Sequence, residues 1–253
     1  MATLSPTTEN HIDSVFENAL WPVDIVSSER LRFDPNIRHK PPPGFAVREA
    51  AYDDIPELSR VDFSAYNEGY DFWKRLAPED AATRHWFEGY WSDAISSNDM
   101  KIFVVQDLSK NGKLAALMRW GLPIRAADKR QNAPKKQRTY PSQLAEALWS
   151  RTAKTHLEVM GDRPHWKSDH LAVDPAHSGK GLAKMLMHWG CRQADKGGIE
   201  VYGSAMSLAL PIWIKHFGFK ERKIIDIPLA GCSESFKVVG IVRPPQVPSK
   251  SRI

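Results

Sequence analysis

The chain has 253 residues, of which 42% are hydrophobic and 26% charged, with a net charge of +5; this is the makeup of a packed domain and excludes a wholly disordered chain. No run approaches the roughly 20 apolar residues of a membrane span, and the polar stretch Met1–Asn10 lacks the basic-then-apolar order of a secretory signal. Two cysteines, Cys191 and Cys232, cannot build a disulfide framework or a cysteine-rich zinc site, so a reduced, cytoplasmic compartment is expected.

Residues 1–43 read as an N-terminal extension. They carry no sustained periodicity and end in Lys40-Pro41-Pro42-Pro43, a stiff linker. Within them Ile12, Val15, Phe16 and Leu20 fall at helical intervals and predict one short helix. A single domain is expected over 44–243, with a tail at 244–253. It opens with a strand at Phe45–Arg48. A helix start follows at Asp53–Leu58, with an Asp cap and Pro56 in the first turn. The tryptophan-rich segment Phe72–Ile95 reads as helical. Lys101–Gln106 and Leu114–Trp120 are two β-rich runs joined across Asn111-Gly112, a strong hairpin signal.

Between Arg125 and Arg138 six cations face a single acid, Asp128. Such a block is either a solvated loop or a border to an anionic ligand. No aromatics are interleaved with the cations, which disfavours a nucleic-acid stacking groove. A helix is predicted over Ser142–Met160, a strand over His165–Val173 and a helix over Gly179–Lys196. A strand at Ile199–Ala205, a short helix at Ala209–His216 and strands at Phe219–Ile227 and Phe236–Val242 complete the series. Hairpins mixed with crossover helices predict a mixed α/β (α+β) fold around one sheet.

The chemistry concentrates in Leu171–Ala183, where a strand runs through Asp174-Pro175 and a glycine-containing loop into an amphipathic helix. A loop at a helix N-terminus aims free N–H groups and the positive dipole end at an anion. Gly179 and Gly181 allow close approach, and Lys180 adds charge. The same residues also suit an ordinary strand-to-helix turn. Pro175 and Gly181 break the P-loop pattern, and Lys184 stands where the dinucleotide fingerprint needs its third glycine.

Leu171-x-Val173-Asp174-Pro175 followed by Gly179-Lys180-Gly181-Leu182-Ala183 resembles the acetyl-CoA-binding core of the GNAT acetyltransferase superfamily. Ala194-Asp195, Ser207 and Phe217-Gly218-Phe219 lie at the intervals of many fungal-type members. The resemblance implies a mostly antiparallel central sheet with flanking helices, and acetyl-CoA as the acyl donor. It implies that backbone amides of Ser178, Gly179, Lys180, Gly181, Leu182 and Ala183 hold the pyrophosphate. Leu171, Ala172 and Val173 would present backbone groups to the pantetheine arm and the acyl carbonyl. The implied reaction is direct attack of an amine on the thioester. Nothing resembles a histone- or ribosome-docking module, so a small-molecule amine is the expected acceptor. Family members often pair through sheet edges or helices, which makes a homodimer an open possibility.

The chain departs from the family at two places. Ser178 stands where Gln or Arg is common. Ile214 stands where a tyrosine usually serves as the acid for the leaving thiolate, and isoleucine cannot donate a proton. Water, or another donor such as Tyr202 or Ser207, is the expected replacement. Altered chemistry (O-acylation, another acyl-CoA, rearrangement of a specialised metabolite) and an inactive CoA binder are the alternatives.

On the strand His165–Val173, period-2 alternation puts Lys167, Asp169 and Leu171 on one face and Ser168, His170 and Ala172 on the other. Several family members place their base at the position matching Asp169, making it the first candidate, with a pKa raised by partial burial. His170 is the second. His165, His177, His188 and His216 lack metal-site spacing, so no metal is expected. Cys191 and most of Trp73, Trp86, Trp91 and Trp120 are assigned to packing.

Overall fold

The computed structural model describes residues 40–67, 71–123, 140–229 and 235–246. The helix expected around Ile12–Leu20, the Arg125–Arg138 basic stretch and Cys232 lie outside them, as do most of the extension and tail. Seven strands form one sheet: β1 (Phe45–Glu49), β2 (Met100–Asp107), β3 (Lys113–Gly121), β4 (His165–Val173), β5 (Glu200–Met206), β6 (Lys220–Pro228) and β7 (Ser235–Arg243). Their spatial order is β1-β2-β3-β4-β5-β7-β6. Every pairing is antiparallel except β4 with β5, the one connection that needs a crossover helix.

Among the described residues six α-helices cover the two faces: α1 (Ile55–Asn67), α2 (Asp71–Leu76), α3 (Ala81–Ile95), α4 (Gln143–Met160), α5 (Leu182–Gly197) and α6 (Leu210–Phe217). The helical segment expected over Phe72–Ile95 is two helices, α2 and α3. Pro78 cannot continue α2, and Asp80 starts α3 afresh by accepting the Thr83 N–H at 2.7 Å. The hairpin is as read: Asn111 and Gly112 both take left-handed backbone between β2 and β3. Among the described residues no helix is long and apolar enough to cross a membrane.

Both faces of the central strands are covered, so their residues are apolar in both directions. In β2, Phe103 and Val105 point towards α5, while Ile102 and Val104 point towards α1 and α3. On the first side Trp120, Trp166 and Trp189 meet in one cluster with Met118 and Leu186. On the second, Leu58, Val61, Phe63, Phe87 and Trp91 pack over Leu117 and Ala172. Cys191 is buried in the α5 layer, which pushes its thiol up to about 12 and leaves it inert, as expected of a packing residue.

The α5 layer depends on one close approach. A Cβ at Gly190 would lie 2.3 Å from the Trp120 ring, a rigid and fully buried group. Helix propensity favours alanine over glycine by about 1 kcal/mol, but overpacking a core costs about 1–3 kcal/mol. With three ring atoms in conflict the steric cost wins. Gly190→Ala is expected to lower stability by about 2 kcal/mol in urea denaturation.

Candidate active site

The β3–β4 register shifts between Arg119 and Trp120: Arg119 pairs with His170, and Trp120 with Ser168. Asp169 is therefore an extra residue, a β-bulge, and it resets the alternation. Trp166 before the bulge, and Leu171 and Val173 after it, face α5. Ala172 faces α1 and α3. Asp169 meets Arg119, whose guanidinium lies 4.1 Å from the Tyr90 ring centroid on α3, and His170 meets Asp62 on α1. The two-face assignment expected from strict alternation is thus corrected. Asp169 and His170 share the face covered by α1 and α3, and Leu171 takes the face covered by α5.

The bulge also parts the sheet. β4 and β5 pair only from His165 opposite Glu200 to Ser168 opposite Gly203, although both strands run on. Beyond this point a cavity of about 410 Å³ opens. Its walls include Lys167, Ser168, Asp169, His170 and Leu171 of β4, Ser204, Ala205 and Met206 of β5, and Met187 and Trp213 of α5 and α6. Arg119 and a set of aromatic side chains from the helices complete it.

Asp169 differs from expectation in its charge state. Burial alone would raise its carboxyl, but the charges of Arg119 and Lys167 outweigh burial and hold it well below the ordinary carboxylate range. Lys167 Nζ lies 2.5 Å from Oδ1, and Arg119 contacts Oδ2. A carboxylate stabilised this way is a poor proton acceptor. His170 is better placed. Its Nε2 is 2.7 Å from Asp62 Oδ1, and Asp62 is buried with its other oxygen accepting the Trp91 indole N–H at 3.1 Å. With Nε2–H donated to Asp62, the lone pair resides on Nδ1. A buried carboxylate that orients an imidazole is the arrangement of a general base.

The loop after β4 has the geometry expected of an anion cradle. Pro175–His177 make a 3₁₀ turn, Gly179 and Gly181 take φ of +74° and +79°, and α5 begins at Leu182. A Cβ at either glycine would meet nothing within 4 Å, so the space outside the first turn of α5 is open. The first amides of α5 have no intrahelical acceptor, and Lys180 extends beside the Phe45 ring. These residues fit a pyrophosphate. The loop is held from behind. Buried His177 pairs through Nε2 with Asp107 at 2.9 Å, and Arg60 ties Asp174 at 2.6 Å to the Leu114 carbonyl.

The strand part of the expected cofactor site is revised. Asp174 N–H bonds Ala115 O, and Ala172 pairs with Leu117. By alternation Ala172 turns its backbone to β3, leaving Leu171 and Val173 to face the opening. The Leu171 carbonyl already accepts the Tyr66 hydroxyl at 2.8 Å. Ala172 is thus removed from the site and Leu171 keeps only its N–H, while Val173 retains both groups.

The two considered acids are not at the cavity. Tyr202 is fully buried beside His156 and Met160, its phenol pushed up by burial against a 3.3 Å bond to Ser204. Ser207 is exposed on the far side of Met206, 3.5 Å from the Lys237 carbonyl. Ile214 is exposed, and its neighbour Trp213 lines the cavity instead. Sequence reading missed Asp62, Arg119, Tyr66 and Tyr90. A signal for the first existed: Leu58, Val61, Asp62, Ala65 and Tyr66 occupy one helical stripe, with a carboxylate among apolar neighbours. Among the described residues no group of three or more His, Cys, Asp or Glu gathers as metal ligands.

No protein-family model and no curated protein matches the chain. Solved structures do. The C-terminal condensation domain of Ebony, in complex with β-alanyl-dopamine, superposes with a TM-score of 0.57 at 10% identity, over 79% of this chain and 98% of its own. An acetyltransferase related to histone acetyltransferases from Corynebacterium glutamicum gives 0.52 at 18% identity, covering 81% and 99%. The Drosophila melanogaster polyamine N-acetyltransferase that forms N-acetylagmatine gives 0.53 at 16%, covering 79% and 99%. The chain has the fold of the GNAT N-acetyltransferases.

The Asp107–His177 contact has a measurable acid signature. Hydrogen bonds from Ser109, then the bond with His177, lower the Asp107 carboxyl to about 2 from its ordinary 3.8. A depressed folded-state pKa contributes stability that is fully present above the unfolded value and is lost as pH falls through the folded one. Wild type minus Asp107→Asn, compared by urea midpoint, should therefore be largest above pH 4 and shrink towards pH 2.

Proposed function

We propose that the protein is an acetyl-CoA-dependent N-acetyltransferase acting on a small-molecule amine. The observation that carries this is the path of β4. One strand runs from the His170–Asp62 pair, past the opening left by β5, to the anion cradle at the start of α5. A nucleotide-bearing acyl donor laid along that strand would set its phosphates on the cradle and its thioester near His170. The solved neighbours that share the fold, a polyamine N-acetyltransferase among them, support the same class.

The thioester supplies an activated acetyl group; the chain supplies placement and proton handling. Amides of Gly179 to Ala183, with Lys180, bind the pyrophosphate through charge-assisted hydrogen bonds. The Val173 N–H faces the opening and is the donor available to polarise an acyl carbonyl. His170 Nδ1 accepts the proton of the amine, and Asp62 stabilises the imidazolium that results. Asp169, Arg119 and Lys167 keep the β4 bulge fixed, so the imidazole and the strand amides hold their spacing. Ile214 leaves no acid at the position where the family's tyrosine usually stands, so solvent protonates the departing thiolate.

Calorimetry separates the parts. Acetyl-CoA is expected to bind the wild type at micromolar concentration, while Gly181→Trp, which fills the cradle at a left-handed position, should lose measurable binding. Absence of binding to the wild type would overturn the reading. His170→Gln should retain acetyl-CoA affinity and lower kcat by about 10²-fold or more in a thiol-release assay. Asp62→Asn should lower it less, because the ring survives but its orientation and charge support do not. Binding without turnover by the wild type across amines would favour the second reading, an inactive CoA binder, for which Ile214 is the motivating residue.

A further inference from the structure

We infer that the acceptor is a primary amine carried on a flat aromatic body, with no second cationic group. The inference rests on the acetyl-transfer reading for the reaction, but not for what the cavity selects.

The cavity divides by element. Its strand side, with Ser204–Met206, Met187 and Trp213, borders the parted strands. Its helix side is aromatic, formed by Tyr66, Trp73, Tyr90, Tyr140 and Trp149. These rings are held by one another. Tyr66 and Trp73 lie 4.4 Å apart, and Tyr140 stacks on Trp149 at 5.6 Å with planes 13° apart. Their rotamers are therefore set before any ligand arrives, and what remains between them suits a planar ring.

The charges point the same way. The cavity is lined by two cations, Arg119 and Lys167, against one carboxylate, Asp169, which both cations already engage. Two buried donors at the cavity, Trp73 Nε1 and Arg119 Nε, have no hydrogen-bond partner, and the acceptor beside them is His170 Nδ1, which receives one amine and not a second cation. Asp62, behind His170, is likewise engaged by the imidazole and the Trp91 indole, so among the described residues a polyamine or guanidine-bearing amine would bring its second cation to carboxylates that are already paired, and a buried, unpaired charge is strongly disfavoured. A single amine is different. Burial among the aromatic rings favours its neutral form, the one that attacks, and His170 accepts the proton that the nitrogen loses.

The test is calorimetric binding of tryptamine, 2-phenylethylamine, butylamine, spermidine and agmatine to the full chain, with and without saturating CoA. The aromatic amines should bind at least tenfold more tightly than butylamine and than either polycation. Trp149→Leu should weaken tryptamine about tenfold or more and leave acetyl-CoA binding unchanged. Tyr140→Leu, at a half-buried position, provides the same comparison if the first variant unfolds. Spermidine or agmatine binding as tightly as tryptamine, or butylamine matching it, would overturn the inference. If tryptamine binds and acetyl-CoA does not, the transfer reading fails and the cavity assignment stands. If acetyl-CoA binds and the aromatic amines do not, the assignment fails and the transfer reading stands.

Discussion

One extra residue in β4 governs the rest. Asp169 has no partner across β3, so the strand bends there, the pairing with β5 ends at Ser168, and the sheet opens between two strands that would otherwise continue side by side. The same insertion turns His170 towards α1, where Asp62 waits, and turns the Leu171 and Val173 backbone into the opening. A bulge exposes backbone polar groups that must be satisfied. Here Tyr66 takes the Leu171 carbonyl and the ion cluster of Asp169 with Arg119 and Lys167 secures the bend.

Burying that cluster is costly, because removing two charges from water rarely returns more than it takes. Its value lies in definition. Arg119 is fixed by Asp169 on one side and by the Tyr90 ring on the other, so neither charge can leave without stranding the other. The expense is met by the two apolar layers, where Trp91, Trp120, Trp166 and Trp189 are all but fully buried. The arrangement is one of rigid walls around an open slot, the pattern of preorganised sites.

The cradle follows the opposite plan. Its glycines and lysine are exposed, and what fixes them lies beneath: His177 on Asp107, and Arg60 across Asp174 to the end of β3. A loop that must let backbone approach a ligand carries no side chains of its own to hold it. Buried polar contacts from neighbouring elements do so instead.

Much of the fold was legible in the chain. Periodicity and turn residues located the strands and helices of the described residues to within a few positions, and the open, left-handed geometry of the Gly179-Lys180-Gly181 loop was legible too, because helix ends and positive φ are local properties. Pro78 marks the break between α2 and α3 in the chain itself. What alternation could not show was the bulge. A strand read alone has period 2, and only the register against β3 reveals a residue without a partner. The His170–Asp62 pair is likewise beyond local reading, since 108 residues separate its members and only the packing of α1 on the sheet brings them within 2.7 Å. Composition and spacing decided the elements and the cradle. The tertiary structure alone decided which side chains share the cavity and which carboxylate pairs with His170, because charge state and orientation are set by neighbours that the sequence does not place side by side.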